Sequence, residues 1–308
     1  MTQVEITFLG TTAGVPTKFR NHASIHIRYQ SQEEWCCLFD CGEGTQRQAM
    51  SCPWVNFMRI DRIFISHWHA DHFAGLLGLI ETMDLEQRKD PLYIYGPEAE
   101  RFVSMITNIG YGSKDFPIKA VNVEYEGTEI ETIFEHEEFT IQAVPMKHGI
   151  PAVAYAFVEK DRMKIDKEKA VKLGLPPKGP IYQKIKDTGS AEFRGQIIKF
   201  SDMQVIEKGK KVVYTGDTLP NKNIAKIANG ADLLIHDSTF FEEEKKHEVG
   251  VRHPTLEQVK KVADEAAVKQ VILTHISRRY QNIKELEDLI ADRSNFKIAR
   301  DFMKVVVE

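Results

Sequence analysis

Ser66-His67-Trp68-His69-Ala70-Asp71-His72 follows directly on the apolar run Ile63-Phe64-Ile65. Three imidazoles and a carboxylate therefore lie where a predicted strand runs into a loop. The first two histidines can turn to one side of such a loop, while the Asp-His pair that ends the stretch turns toward a second point nearby. These ligand types suit Zn²⁺, with Mn²⁺ or Fe as alternatives, and a catalytic zinc keeps one position open for water. We expect one loop to begin two metal sites.

The alternative for these histidines is a surface cluster or a set of hydrogen-bonded core residues. That alternative is the better interpretation of any one of them taken alone. It is a poor interpretation of the whole H-x-H-x-D-H array, because four metal-ligand side chains at this spacing behind a strand seldom have another purpose. The array therefore indicates metal binding.

Other predicted strands also end near ligand-type residues. Thr140-Ile141-Gln142-Ala143-Val144 leads to His148, Lys211-Val212-Val213-Tyr214 leads to Asp217, and Val271-Ile272-Leu273 leads to His275. Each of these residues alone is more typical of a structural role. Because sites in layered α/β proteins form where strand ends meet loops, we expect the three to join the first cluster.

Composition limits the class of protein. At 308 residues and 42% hydrophobic content the chain can bury a large core, and we expect a single domain spanning 1–308. Met1 to Glu5 lacks the features of a signal peptide, and no apolar run is long enough to cross a membrane, so a cytoplasmic protein is expected. The four cysteines, Cys36, Cys37, Cys41 and Cys52, form no C-x-x-C pair and are expected to be reduced and mostly buried.

The order of strands, then helices, twice over, with His and Asp at strand ends, resembles the metallo-β-lactamase superfamily. That resemblance implies an α/β fold: an αβ/βα sandwich of two mixed sheets with helices outside. It also implies two Zn²⁺ per subunit that share an activated hydroxide. The implied ligands are His67, His69 and His148 for one ion, Asp71, His72 and His275 for the other, and Asp217 as the bridge.

Finer motifs resemble the ribonuclease Z family of tRNA 3′-processing endonucleases. They are Leu38-Phe39-Asp40-Cys41-Gly42-Glu43-Gly44-Thr45-Gln46, Lys147-His148-Gly149, Gly216-Asp217-Thr218 and Thr274-His275-Ile276-Ser277-Arg278-Arg279-Tyr280. The resemblance implies metal-hydroxide attack on precursor tRNA, at the phosphodiester 3′ of the discriminator nucleotide. The products would be a tRNA 3′-hydroxyl and a trailer 5′-phosphate. It also implies a homodimer.

A basic insertion strengthens this interpretation. Residues 159–194 carry ten Lys and Arg against six Asp and Glu, a net charge of +4, whereas the whole chain has a net charge of −4. Phosphate contacts give salt-sensitive, sequence-independent affinity, which suits an enzyme that accepts many tRNAs. The resemblance implies that this segment is a projecting tRNA-binding arm; a solvated, lysine-rich linker is the alternative. The expected substrate-binding residues are Lys178, Gly179, Pro180, Lys184, Lys186 and Arg279.

Two residues are expected to handle protons. Asp71 would accept a proton from the attacking water or orient it, and His253 would act as general acid or transition-state stabiliser. His253-Pro254-Thr255 resembles the His-Ser-Thr motif of the family but has proline in place of serine, and Leu219 stands where arginine is expected. Arg20, Arg278 or Arg279 could replace that arginine at a phosphate. Asp237 is expected outside the ligand set, where it holds a ligand imidazole by its other nitrogen.

Two other functions are compatible with the same motifs. One is a small-molecule phosphodiesterase or arylsulfatase on the same sandwich, for which a basic arm has no use. The other is a metal-dependent RNA-binding protein without activity, against which the complete ligand set and His253 argue. We therefore expect a zinc-dependent endoribonuclease.

Overall fold

The computed structural model describes residues 2–109, 114–241 and 253–307. The chain divides into two compact units. The first combines Met1–Val158 with Lys210–Glu308, and the second is Glu159–Gly209.

The first unit contains two large sheets, whose strands are numbered in chain order. Over the described residues, one sheet has the order β20-β1-β3-β4-β5-β6-β7 and the other β19-β17-β16-β15-β10-β9-β8. The strands of the first sheet are β1 Gln3–Gly10, β3 Ser24–Gln30, β4 Glu34–Phe39, β5 Ile60–Phe64, β6 Leu92–Gly96, β7 Ile118–Asn122 and β20 Lys304–Val307. Those of the second sheet are β8 Glu131–Glu135, β9 Phe139–Pro145, β10 Val153–Glu159, β15 Lys211–Tyr214, β16 Leu233–Asp237, β17 Gln270–Thr274 and β19 Phe296–Ile298.

Both sheets are mixed. In the first sheet β20, β1, β3 and β4 pair in antiparallel fashion, and β4 through β7 pair in parallel. In the second sheet β15, β16, β17 and β19 are parallel, while β10 pairs with β15 and β8 with β9 in antiparallel fashion. A short parallel pair, β2 Thr12–Ala13 with β18 Ile276–Ser277, lies outside the two sheets. Parallel pairing brings the carboxyl ends of successive strands to one edge, where a site can form.

Helices cover the outer face of each sheet. The helices of the first half are α1 Thr45–Ser51, α2 Ala70–Phe73, α3 Leu76–Leu85 and α4 Ala99–Thr107; those of the second half are α7 Lys222–Ala228, α8 Leu256–Glu265 and α9 Ile283–Leu289. A capping box opens α8, where the Thr255 N–H donates to Gln258 Oε1 at 3.0 Å. Among the described residues, no helix combines the length and the apolar character needed to cross a membrane.

The buried side chains form layers that match this arrangement. Aromatic and aliphatic residues of both sheets, such as Phe64, Phe157 and Ile235, pack together in one cluster between the sheets. A second cluster lies under α1, α3 and α4, and a third under α7, α8 and α9. The result is the predicted αβ/βα sandwich. The four cysteines are free and buried, also as predicted.

The second unit has its own small core. Its elements are β11 Arg162–Ile165, α5 Lys167–Lys172, α6 Ile181–Thr188, β12 Ser190–Phe193, β13 Gln196–Lys199 and β14 Gln204–Glu207. β11 pairs with β14 and β12 with β13, both antiparallel. Asp166 caps α5 by accepting from two backbone N–H groups, and residues such as Ile185 and Met203 are fully buried. This unit is therefore a folded segment and includes all of residues 159–194.

Phe157 tests the layer between the sheets. Its side chain is fully buried and its ring centroid lies 4.8 Å from that of Phe139 and 5.4 Å from that of Tyr29. We expect Phe157→Ala to lower the free energy of unfolding by about 3–5 kcal/mol, because it leaves a cavity that the surrounding strands cannot move in to fill. Urea unfolding measures this, with Leu85→Ala, at an 81% exposed position, as the matched control. Equal urea midpoints for the two variants would contradict a packed layer between the two sheets.

Candidate metal centre

The predicted site residues lie at the carboxyl ends of strands. His67 and His69 follow β5, and Asp71 and His72 lie in the short helix α2 that comes next. His148 follows β9, Asp217 follows β15 and His275 follows β17. The structure thus brings together side chains that are separated by more than two hundred positions in the sequence.

The first group of side chains surrounds one point. The ligand atoms of His67, His69, His148 and Asp217 all lie within 4.8 Å of one another. His67 Nε2 is 3.0 Å from His69 Nδ1, which is 3.2 Å from His148 Nε2. Two nitrogens on one tetrahedral zinc would be about 3.3 Å apart, given Zn–N bonds of about 2.0–2.1 Å. The spacing therefore fits a shared cation.

The second group lies next to the first. Asp71, His72 and His275 also place their ligand atoms within 4.8 Å of one another. His72 Nε2 is 3.2 Å from His275 Nε2, and Asp71 Oδ2 is 3.3 Å from that same His275 nitrogen. Two imidazole nitrogens and one carboxylate oxygen form an incomplete coordination shell, which leaves room for a bridging ligand and for water.

Asp217 lies between the two groups. Its Oδ2 is 3.8 Å from His67 Nε2, and its Oδ1 is 3.3 Å from His72 Nε2. The residue is buried, yet Oδ1 lacks a hydrogen-bond partner. A buried carboxylate oxygen is costly to leave unpaired, so a cation at this point would satisfy it. This orphaned oxygen and the facing nitrogens show that the donor set fits a divalent metal ion.

The pKa values of the imidazoles agree with cation binding. Burial and the nearby His72 hold the pKa of His67 well below its usual value, and burial lowers the pKa of His148 to about 4. Both rings are therefore neutral near pH 7, the form that binds metal. Burial is the largest single effect on His72 and His275 and opposes their charge. The surrounding carboxylates together outweigh it, Asp217 with Asp40 at His72 and Asp217 with Asp237 and Asp71 at His275, and they raise the pKa of both rings, that of His275 to about 10. The carboxylates attract positive charge to this side of the cluster.

A further residue, Asp40, holds the loop that carries the candidate ligands between His67 and His72, and sequence reasoning missed it. Asp40 Oδ1 accepts from the Ser66 N–H at 2.7 Å, and Oδ2 accepts from Ser66 Oγ at 2.8 Å, from the Tyr214 hydroxyl at 2.6 Å and from His72 Nδ1 at 2.6 Å. The last contact fixes which nitrogen of His72 faces the site. Its position directly after β4, within the quoted Leu38 to Gln46 motif, was the available signal.

Two glycines allow backbones to approach the ligands. A Cβ at Gly42 would lie 2.3 Å from the carbonyl oxygen of Asp71, and one at Gly216 would lie 2.6 Å from Ser66 Cβ. Gly216 also has φ +56, in the left-handed region. Any larger residue at either position would push apart the loops that carry Asp71 and Asp217.

Asp237 and His253 form a pair beside the cluster. His253 Nδ1 donates to Asp237 Oδ2 at 2.8 Å, and the side chain of His253 is 20% exposed. Asp237 Oδ1 is 3.5 Å from His275 Nδ1. Asp237 therefore holds His253 directly. Its contact with the candidate ligand His275 is longer. Pro254 leaves His253 within reach of the site, with its ring centroid 5.5 Å from that of His275.

Arg20 cannot replace the arginine expected at Leu219. It is 7% exposed, and its guanidinium donates to the carbonyl oxygens of Ile276, Ser277 and Tyr280, which uses its donors on the backbone. Arg278 and Arg279 are exposed. In the second unit, exposed side chains or backbone are found at all five predicted arm positions: Lys178, Gly179, Pro180, Lys184 and Lys186.

Family models match both halves of the chain. A model described as Anti-Pycsar protein Apyc1 matches residues 4–169, and one described as a beta-lactamase superfamily domain matches residues 194–276. The two matches include all seven candidate ligands and most strands of both sheets.

Whole-length relatives carry a more specific name. Ribonuclease Z of Archaeoglobus fulgidus is 42% identical over 98% of this chain and 97% of its own length. Ribonuclease Z of Bacillus velezensis is 36% identical over 99% of each chain. Among solved structures, human tRNase Z, short form, superposes with a TM-score of 0.69 at 26% identity and 99% coverage of both chains.

The role of Asp40 can be tested by zinc binding. Asp40→Asn keeps the shape but loses acceptors for Tyr214, Ser66 and His72, so we expect zinc affinity to fall by about 10–100-fold. Competition with a chromophoric chelator measures this on metal-stripped protein. Asp301→Asn is the control, because that carboxylate accepts from Thr11, Asn21 and Gln48 instead. Unchanged affinity in Asp40→Asn would contradict the assigned role.

Proposed function

The chain belongs to the ribonuclease Z family of metallo-β-lactamase-fold endonucleases, and we propose that it uses zinc to remove the 3′ trailer from precursor tRNA. The observation that carries the proposal is the convergence of two ligand groups, joined by Asp217, in a chain that matches ribonuclease Z along almost its whole length. The cut would fall 3′ of the discriminator nucleotide and leave a tRNA 3′-hydroxyl and a trailer 5′-phosphate.

The ligand assignment follows the two groups. His67, His69 and His148 would hold one zinc, Asp71, His72 and His275 the other, with Asp217 between them. Bound there, the ions would lower the pKa of a water molecule and place positive charge beside the phosphate. Neutral His67 and His148 would bind their ion without losing protons, because burial already lowers the pKa of both.

Asp71 would orient the attacking water. Its Oδ2 accepts from the Gly14 N–H at 2.8 Å and contacts His275 Nε2 at 3.3 Å, so the carboxylate is held from two sides. His275 and His72 hold the pKa of Asp71 below its usual value although burial opposes this, which keeps the group ionised and able to accept a hydrogen bond from the water.

His253 would protonate the leaving oxygen. Asp237 accepts from Nδ1 of this ring, which leaves Nε2 available to the substrate. Burial is the largest single effect on His253 and opposes its charged form, but the charge and hydrogen bond of Asp237, together with the charge of Asp217, raise its pKa above the usual value. A protonated imidazole that is partly open to solvent is suited to donate a proton near neutral pH.

The second unit would bind the tRNA body. Lys164, Lys167, Lys178 and Lys186 line a depression of about 400 Å³ in this unit. Lysines around a concave surface can neutralise several phosphates of an RNA helix without reading its sequence. This makes residues 159–194 the proposed tRNA-binding arm, together with Arg279. A homodimer and a cytoplasmic location remain predictions.

Cleavage of a 5′-labelled precursor tRNA tests the reaction. We expect chelation to abolish the cut at the discriminator and zinc to restore it, because two ligand groups require cations. His253→Gln should lower kcat by about 10²–10⁴-fold. His136→Gln, whose ring stacks on Phe139 at 4.5 Å, is the matched control and should cleave normally. Cleavage that persists in chelator, or a product ending in a cyclic phosphate, would contradict the proposal.

The arm is tested by charge removal. We expect the triple variant Lys178→Ala, Lys184→Ala, Lys186→Ala to raise KM for precursor tRNA and to make its dependence on salt shallower, because phosphate contacts are lost. Hydrolysis of a small phosphodiester should not change, since such a substrate has no need of the arm. Replacing Lys89, Lys119 and Lys261 by alanine changes the net charge equally and is the control. An equal loss of activity toward precursor tRNA and toward the small phosphodiester would instead favour a small-molecule hydrolase.

A further inference from the structure

We propose that Thr239 is a positioning residue that fixes the tautomer of His275 and joins it to the Asp237–His253 pair. The proposal rests on the metal site of the proposed function. It assigns a role to a residue that is neither a ligand nor a partner of the substrate.

The contacts of Thr239 place its hydroxyl between two functional groups. The residue is 5% exposed, and its Oγ1 lies 2.9 Å from His275 Nδ1 and 2.8 Å from Asp237 Oδ1. Its backbone N–H also donates to Asp237 Oδ1 at 3.0 Å. The other oxygen of Asp237 accepts from His253. One chain of hydrogen bonds therefore runs from His275 through Thr239 and Asp237 to His253.

The number of available protons sets the direction of each hydrogen bond in this series. A hydroxyl has one proton to donate, and two oxygens that can only accept lie near that of Thr239: Asp237 Oδ1 at 2.8 Å and the His275 carbonyl oxygen at 3.1 Å. The shorter contact, to the charged carboxylate, takes the proton, and with either acceptor no proton is left for His275 Nδ1. Thr239 Oγ1 then accepts from His275, which places the imidazole proton on Nδ1. The lone pair of Nε2 is left facing His72 Nε2 and Asp71 Oδ2. This is the tautomer that a metal at the second ligand group requires.

Loss of the hydroxyl would redirect the imidazole. With Thr239 replaced by valine, the nearest remaining carboxylate oxygen to His275 Nδ1 is Asp217 Oδ1 at 3.2 Å. A hydrogen bond to that oxygen would turn the ring and occupy the carboxylate that bridges the two groups. Zinc binding at the Asp71, His72 and His275 group would weaken, while the first group would retain its own three imidazoles.

Zinc titration of metal-stripped protein by calorimetry tests this. We expect wild-type protein to bind two equivalents of zinc. In Thr239→Val, the more weakly bound equivalent should bind about 10–100-fold less tightly than in wild type. Thr239→Ser should restore binding because it keeps the hydroxyl. Thr82→Val is the matched control, since that hydroxyl donates to the Gly78 carbonyl on α3. Long-range ¹⁵N–¹H spectra should show a protonated Nδ1 on His275 in wild type and Thr239→Ser.

Several outcomes would overturn the proposal. These are wild-type affinity in Thr239→Val, binding by Thr239→Ser as weak as that of Thr239→Val, or a proton on Nε2 of zinc-loaded His275. A third zinc equivalent would also overturn it, because an ion near Asp217, Asp237, His253 and His275 would displace the hydroxyl contact. If wild-type protein bound no zinc, both this proposal and the proposed function would be wrong. If wild-type protein bound zinc normally and Thr239→Val bound it with the same affinity, only the Thr239 proposal would be wrong.

Discussion

The buried carboxylate of Asp40 joins the two sheets at the metal centre. It follows β4 of the first sheet and accepts from Tyr214 of β15 in the second, as well as from Ser66 and His72. A buried carboxylate is tolerated only with such a set of donors. Asp40 has φ +58, and His275 has φ +55, both left-handed. Such strain, of order 1–3 kcal/mol per residue, persists where surrounding contacts determine the backbone, as they do here.

Charge is distributed so that binding and chemistry use different parts of the chain. The whole chain has a net charge of −4, and three carboxylates, Asp71, Asp217 and Asp237, lie in or beside the cluster. RNA phosphate would be repelled by such a site unless cations neutralise it. In the proposed function, metal ions would therefore do more than activate water, because they would also make the site accessible to the phosphate. The lysines of the second unit would then provide the affinity that the acidic first unit lacks.

Much of the fold and of the ligand set could be predicted from sequence, because both depend on local patterns. The H-x-H-x-D-H array after an apolar strand is a signal of this kind. The convergence of His148 and His275 on that array was expected from their positions at strand ends, and the family resemblance added the assignment of each residue to one of two ions. Asp40 and Thr239 were missed because a hydrogen-bonded carboxylate or hydroxyl has no spacing signature.

The two imidazoles of the second group are held by unlike partners, and this difference has a chemical consequence. His72 Nδ1 contacts the Asp40 carboxylate at 2.6 Å, whereas His275 Nδ1 contacts the Thr239 hydroxyl at 2.9 Å. A carboxylate partner raises the basicity of a ligand imidazole more than a neutral hydroxyl does. The third side chain of the group, Asp71, also shares its Oδ2 with the Gly14 N–H, which reduces its electron donation. In the proposed function, an ion held by one strong and two weakened donors would keep more of its positive charge, and that charge would favour attack on a phosphate bound beside it.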